Sequence, residues 1–86
     1  MENYQDKEKL YLTSDLKLQA FLRLMLPGSF IGLNKTDPNR INFVFKRSQE
    51  LINFTGGYLS RKKYLLSPLS FSENIEQGKA MIYGDY

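Results

Sequence analysis

The segment Ile41–Arg47, Ile-Asn-Phe-Val-Phe-Lys-Arg, constrains the fold most. Ile41, Phe43 and Phe45 alternate with Asn42, Val44 and Lys46. A two-residue period places three large side chains on one face of a β-strand. Aromatic and β-branched residues also favour the pleated, half-buried surface of a sheet. Upstream, Asp37-Pro38-Asn39-Arg40 has turn chemistry, because proline presets φ and the aspartate can bond back to the turn backbone. Before it, Phe30-Ile31-Gly32-Leu33-Asn34 reads as a second strand, and Gly32 marks a bulge or a close helix–sheet approach. The unit is a hairpin whose apolar face needs helices to cover it.

The flanking chain supplies them. Leu10–Thr13 reads as a short strand. Ser14-Asp15 then starts a helix over Asp15–Leu26, where either side chain can accept a bond from free first-turn N–H groups and Asp15 suits the positive end of the dipole. Gln19 and Arg23, four apart, form its polar stripe. The rest is apolar, and Leu18/Leu22 is a candidate protein-binding surface if that side stays uncovered. Pro27-Gly28 ends the helix. Ser48 caps a short helix over Gln49–Thr55 that Gly56-Gly57 stops. Tyr58–Leu66 reads as an irregular loop. The last helix starts either at Ser67-Pro68, as N-cap and N1, or one turn later at the capping box Ser70-Phe71-Ser72-Glu73. Gly78 lies inside it, which implies close contact with a neighbouring element. Tyr83–Tyr86 should fray.

The expected fold is therefore α+β, in the order β-α-β-β-α-α, with a mainly antiparallel three-stranded sheet and helices on one face. Residues 1–9 form a lead-in and 10–86 a single domain. The expected core is Leu10, Leu12, Leu16, Ala20, Phe21, Leu24, Ile31, Leu33, Ile41, Phe43, Phe45, Leu51, Phe71, Ile75 and Ile82.

Composition narrows the chemistry. The 86 residues contain no cysteine and no histidine. Disulfides, thiolate catalysis and cysteine-ligated metals are excluded, and so is the commonest general base. Gly56-Gly57 lacks the lysine-serine and helix start of a phosphate loop. Glu73 and Glu76, three apart on one helix, could chelate a hard cation, but a solvated helix start favoured by the dipole accounts for both. No catalytic set, metal or cofactor is expected. The acidic N-terminus is no secretory signal, and the longest apolar run, Leu16–Leu26, contains Lys17, Gln19 and Arg23. A soluble cytoplasmic protein without membrane association is expected.

The order of signals resembles a known family. Tyr11-Leu12-Thr13-Ser14-Asp15-Leu16 leads into an apolar helix, followed by Ile31-Gly32 and Asp37-Pro38. Ile41–Phe45, Ser67-Pro68 with Phe71, and Lys79 before Ile82-Tyr83 complete the pattern over about residues 10–83. It is similar to a family of small bacterial and archaeal proteins, frequent on phages and other mobile elements, known only as a domain of unknown function. The resemblance brings no catalytic residues. It implies a small accessory protein of a mobile element. The basic segment Gly56–Lys63 departs from the family pattern.

Charge gives the functional expectation. From Lys35 to Lys63, seven cations (Lys35, Arg40, Lys46, Arg47, Arg61, Lys62, Lys63) face only Asp37 and Glu50, net +5, while the rest of the chain sums to −2. Long cations near aromatics hold phosphates and stack bases. Arg40, Lys46, Arg47, Arg61, Lys62 and Lys63, with Tyr58 and Tyr64, form the expected site for DNA or RNA. The plain alternative is a set of solubilising surface charges, and no recognised reader motif is present. A rival expectation is an adaptor or inhibitor that docks on a larger protein through the first helix or a strand edge, or that dimerises the same way.

Overall fold

A computed structural model describes residues 9–37 and 39–84 of the chain. Residues 1–8 of the expected 1–9 lead-in, the turn proline Pro38 and the last two residues lie outside the described residues. The elements are β1 (Leu10–Thr13), α1 (Leu16–Met25), a 3₁₀ turn (Pro27–Ser29), β2 (Phe30–Asp37), β3 (Arg40–Lys46), α2 (Gln49–Leu59) and α3 (Pro68–Tyr83). The fold is the expected β-α-β-β-α-α arrangement. Its antiparallel sheet has the order β1-β3-β2, with β3 central.

Each helix start is capped by the residue type that capping physics requires. The Asp15 carboxylate accepts from the N–H groups of Lys17 at 2.9 Å and Leu18 at 3.1 Å. The Ser48 hydroxyl accepts from Leu51 N–H at 3.1 Å. The Ser67 hydroxyl accepts from Ser70 N–H at 3.2 Å, with Pro68 in the first turn, so α3 uses the earlier of its two possible starts. The Asp37 carboxylate accepts from Asn39 N–H at 2.9 Å and shapes the hairpin turn.

Strand register decides which side chains meet the helices. Phe43 opposes Thr13 and Leu33, and Phe45 opposes Tyr11 and Phe30. Directly opposed residues point to the same face of an antiparallel pair. Phe43 and Phe45 are fully buried and join Phe21, Leu18, Leu22 and Leu51 in the core, with Tyr11, Phe30 and Leu33 packed against it.

Several expected core positions move. The register throws Leu10 and Leu12 to the other sheet face, where they oppose Lys46 and Val44, and Leu12 is 42% exposed. Phe30 opposes Phe45 while Gly32 opposes Val44, so Ile31 is the extra residue of a bulge and is 59% exposed. A bulge re-aims the alternation, which lets both Phe30 and Leu33 face inward. Leu24, Ile41 and Ile75 are only partly buried and stay outside the main cluster.

Two helix readings also change. Leu18 and Leu22, the candidate docking surface, are core residues. Gln19 is not on an exposed stripe: it is fully buried where α1 meets α3. Its side-chain amide donates to the carbonyls of Leu16 and Asn74, both at 2.9 Å, and Asn74 Nδ2 donates to the Ala20 carbonyl at 3.3 Å. Arg23 completes this seam. Its guanidinium donates to Gln77 Oε1 at 2.9 Å and lies 4.9 Å from the Phe30 ring centre. Partial burial pulls its pKa below the usual arginine value. Gly78 is buried against this seam. A Cβ there would lie 2.5 Å from Gln19 Nε2 and 3.1 Å from Leu16 Cδ2, which is the close contact expected of it.

Candidate interaction surfaces

The helix α2 runs through Gly56-Gly57 to Leu59 instead of stopping at Thr55. Packing overrides the two glycines. Tyr58 stacks on Phe21 with ring centres 5.0 Å apart, and Tyr64, returning after the helix, sits 4.8 Å from the same ring. Gly57 is required by this return, because a Cβ there would collide with the Tyr64 hydroxyl. Both expected base-stacking tyrosines therefore spend their faces on the core. Burial, and then the Asp15 carboxylate, raises the Tyr58 pKa above its ordinary 10.0.

The true end of α2 is a Schellman turn. Arg61 N–H donates to the Tyr58 carbonyl at 3.1 Å, and Lys62 N–H to the Gly57 carbonyl at 2.8 Å. The residue after the cap must then be left-handed, and Arg61 has φ 65°. Glycine is the usual occupant, since a Cβ costs about 1 kcal/mol in that conformation. Three consecutive exposed cations, Arg61, Lys62 and Lys63, thus project from a turn of defined geometry. Lys62 Nζ lies 5.6 Å from the Tyr64 ring centre, which holds its stem against the returning chain.

The other expected cations are elsewhere. Arg40 and Lys46 are exposed at opposite ends of β3, about 20 Å apart by strand rise. Both share a face with Val44, the side of the sheet away from the helices, and Arg40 opposes Asp37 across the hairpin. Arg47 follows Lys46 and is separated from Arg61 by the length of α2, about 16 Å. The expected single basic surface is therefore divided into a tip, a strand end and a helix end. Among the described residues the one ion pair is Lys79 with Glu76 at 3.4 Å, so none of these cations is matched to a described carboxylate. The same pair engages Glu76, one of the two acids that the sequence reads as a solvated helix start.

The face of the sheet opposite the helices is the feature that the pattern of residues did not single out. It carries exposed Leu12, half-buried Leu10 and buried Val44, with exposed Ile31 at the bulge, and no described helix covers it. A hollow of about 410 Å³ lies there between Leu10, Leu12, Asn34 and Val44. The signal was present in the even-numbered apolar residues of β1, but the pairing with β3 was needed to assign their side. No described helix is long and apolar enough to cross a membrane. No family model matches the chain, and no curated protein or solved structure matches it either.

Proposed function

We propose that this chain is a non-catalytic, cytoplasmic accessory protein, in keeping with the mobile-element context that the family resemblance implies, and that it contacts the phosphates of DNA or RNA. The observation that carries this reading is the turn Arg61–Lys63. Three exposed cations follow one another there, the first in a backbone conformation that glycine would adopt more cheaply, and none meets a described carboxylate. Non-glycine residues persist in such conformations where another role outweighs the strain. Lys46 and Arg47, and then Arg40, add charge farther away. With Tyr58 and Tyr64 packed on Phe21, base stacking drops out, and contact is with the backbone alone. Binding should therefore be indifferent to sequence.

Fluorescence anisotropy with single- and double-stranded DNA and RNA at low salt tests this. Counterion release by three contacts predicts a slope of log K against log salt of about −2 to −3. The triple charge reversal of Arg61, Lys62 and Lys63 to Glu should abolish binding with the thermal transition intact. Arg61→Gly should weaken binding while raising stability by about 0.5–1 kcal/mol. No binding to any of the four probes, or full binding by the triple variant, would sink the reading.

A second reading, a module that docks on a larger protein, is favoured by the uncovered aliphatic face of Leu10, Leu12, Ile31 and Val44. Aliphatic side chains do not stack bases, so that surface serves a protein partner better than a nucleic acid. Capture of a partner that survives nuclease and high salt would support it. Loss of capture in Leu12→Asp would assign it to this face.

A further inference from the structure

The sheet order leaves β2 at an edge, with β3 as its strand partner, and at eight residues it is twice as long as the other edge strand, β1. A free edge offers a row of unpaired N–H and C=O groups to another strand. What distinguishes this edge is a hollow on each side of it. On the helix side a groove of about 450 Å³ lies between Gly32, Leu33, Lys35 and Met81. On the opposite side a hollow of about 480 Å³ is bordered by Ile31, Gly32, Asn34, Lys35 and Val44. Gly32 belongs to both, and a Cβ placed on it would meet nothing within 4 Å.

The side chains of an added strand alternate between the two faces, so it needs a receptacle on both. We propose that β2 accepts an extended segment of another protein as a fourth strand. Successive apolar side chains of that segment would enter the two hollows, and an acidic residue would lie against Lys35. The carboxylate follows from charge: Lys35 borders both hollows and has no ion-pair partner among the described residues. A second copy of this chain fits less well, because its β2 would bring another Lys35 toward the first, with only Asp37 on that strand to offset the pair. The segment is short. Gly32, Leu33 and Asn34 keep regular register with β3, between irregularities at Ile31 and after Asn34. This inference rests on the protein-docking reading and is independent of the basic turn.

The test is a random nonapeptide display selection on the full chain, followed by anisotropy with the synthesised winners. Enriched peptides should alternate apolar residues and carry an acid. N-methylation at alternate peptide positions and Lys35→Glu should each weaken binding at least about tenfold, whereas Leu12→Asp, on the far strand, should leave it unchanged. No enrichment, or binding that ignores both N-methylation and Lys35→Glu, overturns the inference. Binding lost in Leu12→Asp but kept in Lys35→Glu also overturns it, while leaving the docking reading in place on the open face. A dimer in sedimentation that Lys35→Glu shifts would make a second copy the occupant and overturn the assignment to another protein.

Discussion

The two faces of the same strand have opposite fates. Phe43 and Phe45 lie under three helices and are fully buried; Val44, between them, turns away from those helices toward Leu12 and Gly32. All three side chains are apolar. What separates them is which side the helices cover, and the aromatic residues of this sheet (Tyr11, Phe30, Phe43 and Phe45) all fall on that side. Stability resides on the covered face, whereas Leu12 and Ile31 stay exposed on the other.

The largest expected effect breaks or keeps that contrast directly. Phe43→Ala should lower unfolding free energy by about 3–5 kcal/mol, a large part of a small domain's stability. Leu12→Thr should change it by less than about 1 kcal/mol. Urea titration of both checks this, and similar losses would mean that the open face is covered in solution.

Next is Gly78→Ala on the covered side. Alanine is the better helix former by about 1 kcal/mol. Its Cβ, however, would displace the Gln19 amide from two hydrogen bonds in a site without solvent, so a net loss of about 1–2 kcal/mol is expected. A gain in thermal stability would show that the α1–α3 seam has slack.

Thr55→Val should have a smaller effect of opposite sign. The Thr55 hydroxyl is buried in α2 without a hydrogen-bond partner among the described residues. Valine keeps the shape and removes the unsatisfied group, for a gain of up to about 1 kcal/mol by calorimetry.

The smallest effect is a titration. The Tyr58 pKa is raised in the fold, so its contribution is fully present below pH 10.0 and is lost as pH rises through the folded value. Stability should therefore fall more steeply above pH 10 in the wild type than in Tyr58→Phe, as read from denaturation midpoints.

Most of the architecture was legible because capping and alternation are local. Asp15, Ser48 and Ser67 start their helices through bonds to residues two or three positions away, and the period of Ile41–Phe45 sets the central strand. What was not legible depended on distant partners. Gln19 reads as surface by type, yet its amide is answered by Asn74, 55 positions later. Gly56-Gly57 reads as a stop, yet Phe21 holds Tyr58 and Tyr64 and carries the helix past it. Gly32 announced an irregularity, but only pairing with β3 shows that Ile31 is the residue displaced. Of the candidate site, the exposure of Arg40, Lys46, Arg47 and Arg61–Lys63 was readable from their charge. The division of those cations into three places was not, nor was the diversion of the tyrosines to the core.

The placement of β1 bears on how the chain assembles. The β2–β3 hairpin joins neighbours in sequence, but β1 reaches β3 only by closing a loop that contains α1 and all of β2, from Leu10 to Lys46. Such long-range pairing pays its entropy late. The hairpin and α1 should therefore meet first, with four residues of β1 added as the finishing strand. Weakening those four would hasten unfolding and leave the refolding rate nearly untouched.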